Sequence, residues 1–406
     1  MFRLLMVGAL TAVAPQAPVV DWIDRNATAR VTEAMIGKAT IVGLGESTHG
    51  THEESVLKFR TLRRLVTEMG FRSIAWEEDW TTGVRINEYL LTGKGDLDAL
   101  MREMTRTWHM REVRDVLAWL RAYNADHEDK VQFVGVEYYA TRSLAYDAVA
   151  SYVTKAAPHR LAALQRHLRP IRPRHENAGE NLRWYLGVAD KKPYIEHAKQ
   201  VYRLVERLPR NREQELALQH ARQILSWYEA FDLEDNYAYR DRRAAENLRW
   251  WQRRTGDKVA YWAASAHTAN APDLRVFLSG RPLRFDSAGS HLRRWYGAAY
   301  RSIGFTFDHG TLHTGEGCGT APAPVPRPTA DFVNRALGDA GRDTYALDLR
   351  TPAPEPVRAW MRAAKLRGYS AFDPAQPQGS YMTGGSLSQW FDVLVHTKKI
   401  SSCAPL

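Results

Sequence analysis

The amino-acid sequence predicts an α/β fold, in which a mainly parallel sheet is flanked by helices and a large helical insertion separates some of the strands. Short apolar runs at residues 40–45, 72–77 and 131–137 are typical of buried strands, because each ends in a glycine or an acid after a few residues. A helical pattern lies between the first run and the second. Strands that alternate with helices favour a parallel sheet with covering helices.

Two helices are predicted between these three strands. After the first strand, Gly70 stands where a helix would end. The apolar side chains before it recur at intervals of three and four: Val56, Phe59, Leu62, Val66 and Met69. Before the third strand, "EVRDVLAWLRAYN" places Val113, Leu117 and Leu120 along one helical face.

The rest of the chain is predicted to be a helical insertion followed by further strands. From about residue 144 to residue 254 the apolar spacing is helical, as in "LALQHARQILSWYEAF". A fourth strand is expected in "KVAYWAAS" from Lys258. Later strands are expected at 300–307, 344–349 and 391–396. Residues 308–328 are rich in Gly, Pro and Thr, which predicts a long, lid-like loop.

Composition indicates a globular protein whose partner is not a nucleic acid. A chain of 406 residues with 44% hydrophobic content can bury a large core, and we expect one domain over residues 19–406. The net charge is +10, but the arginines are spread along the chain. The densest basic cluster, "RHLRPIRPR" from Arg166, has two prolines and no aromatic side chain, so it is predicted to be a solvated loop.

The first 18 residues, "MFRLLMVGALTAVAPQAP", fit a short secretory signal. One arginine precedes an apolar run that ends in Ala12-Val13-Ala14. An apolar strand or helix packed on the core fits the same residues, so export and a cytoplasmic location both stay open. No later segment approaches the roughly 18 apolar residues of a membrane span. The two cysteines, Cys318 and Cys403, are too few for a disulfide scaffold or a thiolate metal site, whereas one bridge between them is compatible with export.

The stretch "GLGESTHGTHE", Gly43 to Glu53, combines glycines, carboxylates and imidazoles directly after the first strand. A dinucleotide fingerprint would need glycine at Thr48, and the Gly-Lys-Ser/Thr ending of a P-loop is absent. The chain has no GxSxG elbow and no HExxH pattern to accompany the His49 and His52 pair. We therefore expect neither a nucleotide cofactor nor a metal ion.

Glu46 and His49 are candidates for acid–base chemistry. In open parallel sheets ligands bind at the carboxyl ends of the strands, where these two residues are predicted to lie. A histidine can take a proton from water, and a neighbouring carboxylate can fix its tautomer and stabilise the imidazolium. The alternative is that Ser47 or Thr48 caps the following helix and both histidines lie on the surface.

Further ionisable residues end the other predicted strands. Glu77 and Glu78 follow the second strand, Glu137 ends the third, and His267 comes just after the fourth. Acids are costly to bury without a partner, so acids at neighbouring strand ends indicate a common site. For His267 the alternative is a satisfied histidine beside a strand end.

Trp108 is one of four tryptophans near these residues in sequence, the others being Trp76, Trp80 and Trp262. Such side chains can form the apolar walls of a pocket for a bulky substrate. The alternative for each is simple core packing.

These residues resemble the erythromycin esterase family. The matching elements include "GLGESTHGTHE", "IAWEEDWTTGVRINEYLLTGKGD", "TWHMREVRDVLAWLRAYNA", "VGVEYY", "YRDRRAAENL" and "KVAYWAASAHTANA", in the family's order from about residue 20 to the C-terminus. The resemblance implies an α/β core with a large helical portion. It also implies hydrolysis of an ester or lactone without a metal, since the best-known members hydrolyse the lactone of macrolide antibiotics and so confer resistance.

The resemblance assigns roles to single residues. It implies that His49 is the general base, Glu46 its partner, Glu77 a further acid of the active site, and His267 the second histidine of a usual pair. Lys58 and Arg60 occupy the helix region where members carry a basic residue that could steady charge on the carbonyl oxygen. Three more residues fall in family motifs, where they would either contact substrate or brace helices: Glu112, Arg240 and Asp241.

The sequence departs from the family at three positions. Ala264 replaces the first histidine of the usual pair, Lys58 replaces an arginine, and Glu137 stands where aspartate is commoner. We therefore expect a metal-independent hydrolase that acts on a small-molecule ester or lactone and needs no cofactor. The alternatives are an elimination or acyl-transfer enzyme of natural-product metabolism that uses the same site, and a non-catalytic protein of polysaccharide assembly.

Overall fold

The computed structural model describes residues 16–278, 281–319, 321–362 and 364–406. Its strands are β1 (Ile41–Leu44), β2 (Phe71–Asp79), β3 (Gln132–Glu137), β4 (Lys258–Trp262), β5 (Leu274–Leu278), β6 (Arg281–Phe285), β7 (Tyr300–His313), β8 (Pro322–Val325), β9 (Thr344–Asp348), β10 (Leu366–Arg367), β11 (Ser380–Thr383) and β12 (Val393–Ile400).

Helices surround these strands. The α-helices are α1 (Gln16–Asn26), α2 (Glu33–Ile36), α3 (His52–Met69), α4 (Trp80–Thr92), α5 (Leu97–Glu103), α6 (Arg111–Asp126), α7 (Ser143–Ala156), α8 (Leu161–Leu168), α9 (Ala178–Leu186), α10 (Lys192–Glu206), α11 (Arg212–Ala230), α12 (Tyr237–Thr255), α13 (Ser265–Thr268), α14 (Ala288–Tyr296), α15 (Val333–Asp339), α16 (Glu355–Arg362) and α17 (Leu387–Trp390). Within the described ranges, no helix is both long enough and apolar enough to cross a membrane.

The main sheet has eight strands and confirms the predicted α/β class. Its order is β3-β2-β4-β1-β7-β12-β9, and β8 pairs with β7. The first six of these strands run parallel, while β9 and β8 pair antiparallel with their neighbours. The carboxyl ends of β3, β2, β4 and β1 therefore lie side by side, and the acidic and histidine residues that follow them in sequence meet at one edge.

Helix α3 forms where the apolar spacing predicts it. Its inner face buries Leu62, Leu65 and Val66 against the sheet, and Gly70 ends it in the left-handed conformation with φ of 72°. Glycine adopts that conformation without the steric cost of a Cβ atom. The helix carries the buried Lys58 toward the end of β1.

The chain between β3 and β4 forms helices α7 to α12, as its periodicity predicts. These helices enclose their own apolar cluster, which includes Tyr146, Leu164, Tyr185 and Trp227. The status of this segment as an insertion in a single domain stays a prediction. The expected signal segment lies outside the described residues, except that residues 16–18 begin α1.

The prediction of a long loop at residues 308–328 is wrong for part of that segment. Strand β7 continues to His313, and β8 pairs with its last four residues. The prolines at 322 and 324 are tolerated because β8 lies at an edge of the sheet, where a missing N–H breaks no ladder. Cys318 in this segment forms a disulfide with Cys403, with the two Cα atoms 5.7 Å apart.

A second, smaller sheet was not predicted. It is antiparallel in the order β10-β11-β5-β6. The hairpin of β5 and β6 comes from "LRVFLSGRPLRF", two short apolar stretches around Ser-Gly. Such a pattern is a usual hairpin signal, so this part of the sheet could have been found from the sequence.

Candidate active site

The Glu46–His49 pair lies in the loop that leaves β1. The Nδ1 atom of His49 is 2.6 Å from Oε1 of Glu46, so the carboxylate fixes the tautomer and leaves Nε2 as the nitrogen available to a ligand. The Trp108 ring packs edge-on against the imidazole, with 4.9 Å between centroids. Gly45 is needed just before the pair, because a Cβ atom there would lie 2.6 Å from the Ser265 hydroxyl.

Lys58 of α3 holds the other oxygen of Glu46. Its Nζ atom lies 2.5 Å from Oε2 of Glu46 and 4.1 Å from the centre of the Trp262 ring, and its side chain has no exposed surface. Burial would raise the pKa of Glu46, but the Lys58 charge and the His49 hydrogen bond outweigh it and lower the pKa. Burial would lower the pKa of His49, but the hydrogen bond and charge of Glu46 raise it.

Glu54, in the first turn of α3, fastens the loop. Its carboxyl accepts hydrogen bonds from the Ser47 hydroxyl at 2.5 Å and the Ser47 N–H at 3.1 Å. Burial raises the pKa of Glu54 to about 7. Ser47 thus binds Glu54. The alternative prediction placed Ser47 or Thr48 at the cap of the helix, but the N-cap residue of α3 is Thr51.

Glu77, near the end of β2, joins three neighbours. Its Oε1 lies 2.6 Å from Nη2 of Arg240 and 3.3 Å from Nε2 of His267, and its Oε2 accepts the Ala264 N–H at 2.8 Å. Burial would raise the pKa of this carboxyl, but the charges of His267 and Arg240 and the His267 hydrogen bond hold it well below its ordinary range. Glu77 therefore remains a carboxylate at the sheet edge.

His267 is held by a second carboxylate on its other nitrogen. Its Nδ1 lies 2.9 Å from Oδ2 of Asp241, whose Oδ1 accepts the Ala288 N–H at 2.7 Å. Burial disfavours the imidazolium, but the charges of Asp241 and Glu77 raise the pKa of His267 to about 10. The second imidazole thus lies between two acids, and its Nε2 also lies 3.1 Å from Nη1 of Arg240, in contrast to His49, which has one carboxylate partner.

Arg240 of α12 links the acids of β2 and β3. Its Nε lies 3.1 Å from Oε1 of Glu137, and its Nη2 contacts both Glu77 and the Tyr139 hydroxyl, the latter at 2.8 Å. Burial raises the pKa of Glu137 to about 7, although Arg240 and His267 oppose the shift. The Oε2 atom of Glu137 is buried without a hydrogen-bond partner among the described residues.

A cavity of about 400 Å³ opens onto both imidazoles. The predicted residues that line it are Glu46, His49, Glu77, Trp108, Arg240 and His267. The small sheet supplies an apolar wall: Val276, Leu278, Leu283, Phe285, Leu366, Tyr381 and Met382. The arrangement joins an imidazole with a free nitrogen to a partly apolar pocket, which suits proton transfer on a small organic molecule.

Five predicted site residues do not line this cavity. Lys58 and Asp241 lie behind it and hold Glu46 and His267. Glu78 accepts backbone N–H groups of Asp79 and Thr105, and burial raises its pKa to about 8. Glu112 binds His52 at 2.7 Å and the Ala404 N–H.

Arg60 is the fifth, and it lies on the exposed face of α3, in a different cavity. Residues two apart on a helix point in different directions, so Arg60 cannot share the inward position of Lys58. Of the four tryptophans, only Trp108 lines the active-site cavity. Trp76 and Trp262 stack on each other at 4.5 Å in the core, and Trp80 packs against Trp250 and Trp251.

Sequence reasoning missed several cavity residues. Tyr139 lines the cavity and belongs to the motif "VGVEYY". In that motif only Glu137, two residues earlier, was predicted to lie at the site. The 308–328 segment contributes Glu316 to the cavity lining. Tyr237 and Phe285 stack on the apolar side of the cavity, with 5.6 Å between ring centroids. They belong to distant segments, and no local sequence pattern predicts their contact.

The described residues contain no group of three or more His, Cys, Asp or Glu side chains placed to hold a metal ion. The histidines at the site each bind a carboxylate through Nδ1.

Comparison with known proteins places the chain in a family. The sequence model of the erythromycin esterase family matches residues 66–400, which include Glu77, Arg240 and His267 but begin after the Glu46–His49 loop. An Escherichia coli protein described as erythromycin esterase type II is 30% identical over 103 residues. That alignment spans 25% of this chain and 24% of the relative.

Three solved structures share the fold. A Bacillus cereus protein has a TM-score of 0.83 at 24% identity, over 97% of this chain and 99% of its own. A succinoglycan biosynthesis protein has a TM-score of 0.77 at 25% identity, over 96% and 98%. An erythromycin esterase variant in its open conformation has a TM-score of 0.70 at 20% identity, over 92% and 93%. Since the family's sequence model matches well over half of its length, the chain belongs to the erythromycin esterase family.

Proposed function

We propose that this protein hydrolyses a carboxylic ester or lactone, with His49 as the general base. In the proposed step Nε2 of His49 takes a proton from a water molecule while the water oxygen attacks the carbonyl carbon. The carbonyl π electrons move onto the oxygen and return as the bond to the alcohol oxygen breaks. The leaving alkoxide takes up the proton from the imidazolium, so that the products are an acid and an alcohol.

The observation that carries this proposal is the His49–Glu46 pair at 2.6 Å on the wall of the cavity. Glu46 occupies Nδ1, so the imidazole presents Nε2 to a substrate. Glu46 also stabilises the imidazolium that forms during proton transfer, and Lys58 in turn keeps Glu46 ionised. No metal ion has a part in this step.

Glu77 and His267 are proposed to position the attacking water, since Glu77 remains a carboxylate and the leaving alkoxide takes its proton from His49. Both line the same cavity, and the charge of Glu77 adds to that of Glu46 in raising the pKa of His49. Ala264 stands where the family usually has a histidine, so this position has only a methyl side chain. The Ala264 backbone N–H donates a hydrogen bond to Glu77.

Product mass tests the proposal. Purified wild type, His49→Ala and His52→Ala are incubated with macrolides and simple aryl esters and analysed by mass spectrometry. His52 is the matched control, since it lies three residues away, binds Glu112 and does not line the cavity. We expect wild type and His52→Ala to add one water to a substrate and His49→Ala to add none.

Other products would favour the alternatives. Loss of a small molecule without addition of water would indicate elimination, and transfer of the acyl group to another alcohol would indicate acyl transfer. The 25% identity to a succinoglycan biosynthesis protein favours, as a second candidate, a role in polysaccharide assembly. That candidate requires saturable binding of a saccharide without turnover, unchanged in His49→Ala.

A further inference from the structure

Tyr139 reaches the active-site cavity from the segment that follows β3. It comes two residues after Glu137, and its backbone carbonyl accepts a hydrogen bond from the Trp227 indole of α11 at 2.9 Å. Its side chain is partly buried and lines the cavity together with His49 and Glu77. The Trp227 hydrogen bond therefore holds the backbone of Tyr139 in place, while the phenol ring lies at the wall of the cavity.

The hydrogen bonds of this phenol leave one donor free. Its oxygen accepts from Nη2 of Arg240 at 2.8 Å, and among the described residues none accepts from its O–H group. A neutral tyrosine hydroxyl can accept and donate at the same time. Burial raises the pKa of Tyr139 well above its ordinary range in spite of the Arg240 charge, so the phenol keeps its proton near neutral pH.

We propose that Tyr139 is a catalytic residue whose O–H group donates a hydrogen bond to the carbonyl oxygen of the ester. This inference rests on the proposed function. As water attacks, the carbonyl oxygen gains negative charge, and a donor already aimed at it stabilises the transition state more than the ground state. The proton stays on Tyr139 throughout, so no further acid or base is required.

Arg240 strengthens this donor but is poorly placed to replace it. Its guanidinium is committed to Glu137 through Nε, to Nε2 of His267 through Nη1 at 3.1 Å, and to Glu77 and Tyr139 through Nη2. A hydrogen bond from a cation to the phenol oxygen polarises the O–H bond and makes its hydrogen a better donor. Tyr139 thus carries the effect of the buried Arg240 charge to the reacting carbonyl group.

Tyr139→Phe tests the assignment, with Tyr239→Phe as the matched control. Tyr239 is also a partly buried tyrosine, next to Arg240 in α12, but its hydroxyl binds Glu229 at 2.8 Å and it does not line the cavity. The substrate is the ester that wild type hydrolyses fastest in the panel. We expect Tyr139→Phe to lower kcat about 100-fold with KM changed less than about threefold, and Tyr239→Phe to change kcat less than about threefold.

A phosphonate analogue of that ester, which mimics the charged tetrahedral state, provides the second readout. We expect Tyr139→Phe to weaken its inhibition by about the same factor as kcat/KM, with thermal melting like that of wild type. A residue that only braces Arg240 would raise KM or lower the melting temperature, and phosphonate binding would not follow kcat/KM. Either result overturns the role of Tyr139, as does full activity of Tyr139→Phe. Absence of ester turnover in wild type would instead overturn the proposed function and this inference with it.

Discussion

Glu46 is a single buried carboxylate that binds both His49, the proposed general base, and Lys58. One of its oxygens binds His49 and the other binds Lys58. Glu46 and Lys58 are buried at the sheet edge, whereas His49 keeps 13% of its side chain exposed. The lysine is necessary because a lone carboxylate would tend to take up a proton when buried. Lys58 contacts Glu46 behind the cavity, so we propose that it keeps Glu46 charged, whereas its type and position in the sequence suggested direct contact with substrate.

Glu46→Gln should lower kcat about 100-fold, because the imidazolium loses its stabilising charge. In the proposed mechanism, activity requires neutral His49 and is lost as the pH falls through the pKa of His49. Since Glu46 raises that pKa, the acidic limb of the pH–rate profile should move to lower pH in the variant. The profile of kcat/KM between about pH 4 and 9 checks this expectation.

Glu54→Gln is the control for that variant. Glu54 is buried in the first turn of α3 and binds Ser47 of the same loop, but it has no hydrogen bond to His49. We expect its acidic limb to stay close to that of wild type. An unshifted limb in Glu46→Gln, or equal shifts in both variants, would contradict the pairing of Glu46 with His49.

Glu137 provides a pH-dependent element of stability. Its pKa is raised from 4.5 to about 7 in the folded protein, so the folded state holds a proton that the unfolded chain releases between these values. Its contribution to folding is complete at low pH and is lost as the pH rises. Glu137→Gln should remove up to about 3 kcal/mol of the fall in unfolding free energy from about pH 5 to pH 8.

Urea unfolding at these two pH values, with Glu234→Gln as an exposed control, measures the Glu137 effect. Parallel pH dependence of wild type and Glu137→Gln would show that Glu137 is ionised in the folded protein throughout this range.

At the scale of elements, the site lies between the carboxyl ends of strands in the main sheet and one side of the small sheet. The parallel strands supply Glu46, Glu77 and Glu137 together because their carboxyl ends are neighbours. The sequence allowed this prediction, since each acid follows an apolar strand directly. The apolar wall was not predicted. The β5–β6 hairpin has a local sequence signal, but its place in the wall depends on the pairing of β5 with β11, about 100 positions away.

Phe285→Ala should widen the apolar side of the cavity. Phe285 lines the cavity and stacks on Tyr237. We expect KM for a compact aryl ester to rise about tenfold, because roughly one buried aromatic contact is lost, while kcat changes less than about threefold. Phe277→Ala is the control, since Phe277 lies on the same sheet but does not line the cavity. A large fall in kcat with unchanged KM would show that the wall acts on the chemical step.

At the scale of the whole molecule, the C-terminal residues bind the loop that carries His49. Cys403 donates its N–H to the Gly50 carbonyl at 2.9 Å, one residue after His49, and is joined to Cys318 across 85 positions of sequence. Ala404 binds Glu112 at the start of α6. The last residues thus tie together the loop after β1, helix α6 and the segment that carries Glu316.

Loss of the disulfide should lower the unfolding free energy by about 2–4 kcal/mol, because the unfolded chain regains the entropy of a long loop. Urea unfolding with and without dithiothreitol measures this effect. In the Cys318→Ser/Cys403→Ser double variant, stability should match that of the reduced wild type and should not change with dithiothreitol. Equal stability of the oxidised and reduced wild type would contradict a structural role for the bridge.

Features formed by residues close together in the sequence were predicted, whereas features formed by contacts between distant segments were not. Strands β1 to β4, helix α3 and the acids at the strand ends follow from local patterns. The pairing of His267 with Asp241, the placement of Arg60 outside the site and the contribution of Tyr139 depend on how α3, α12 and β3 pack. Such packing brings together segments whose contact no pattern in a single sequence predicts.

The central claim is that His49 activates water for attack on an ester carbonyl, and turnover in ¹⁸O-labelled water tests it most directly. With the best ester of the panel, wild type and His52→Ala should place one labelled oxygen in the acid product at similar rates. His49→Ala, folded to the same melting temperature, should do so at least about 1,000-fold more slowly. Labelled acid formed by His49→Ala at the wild-type rate would contradict the account.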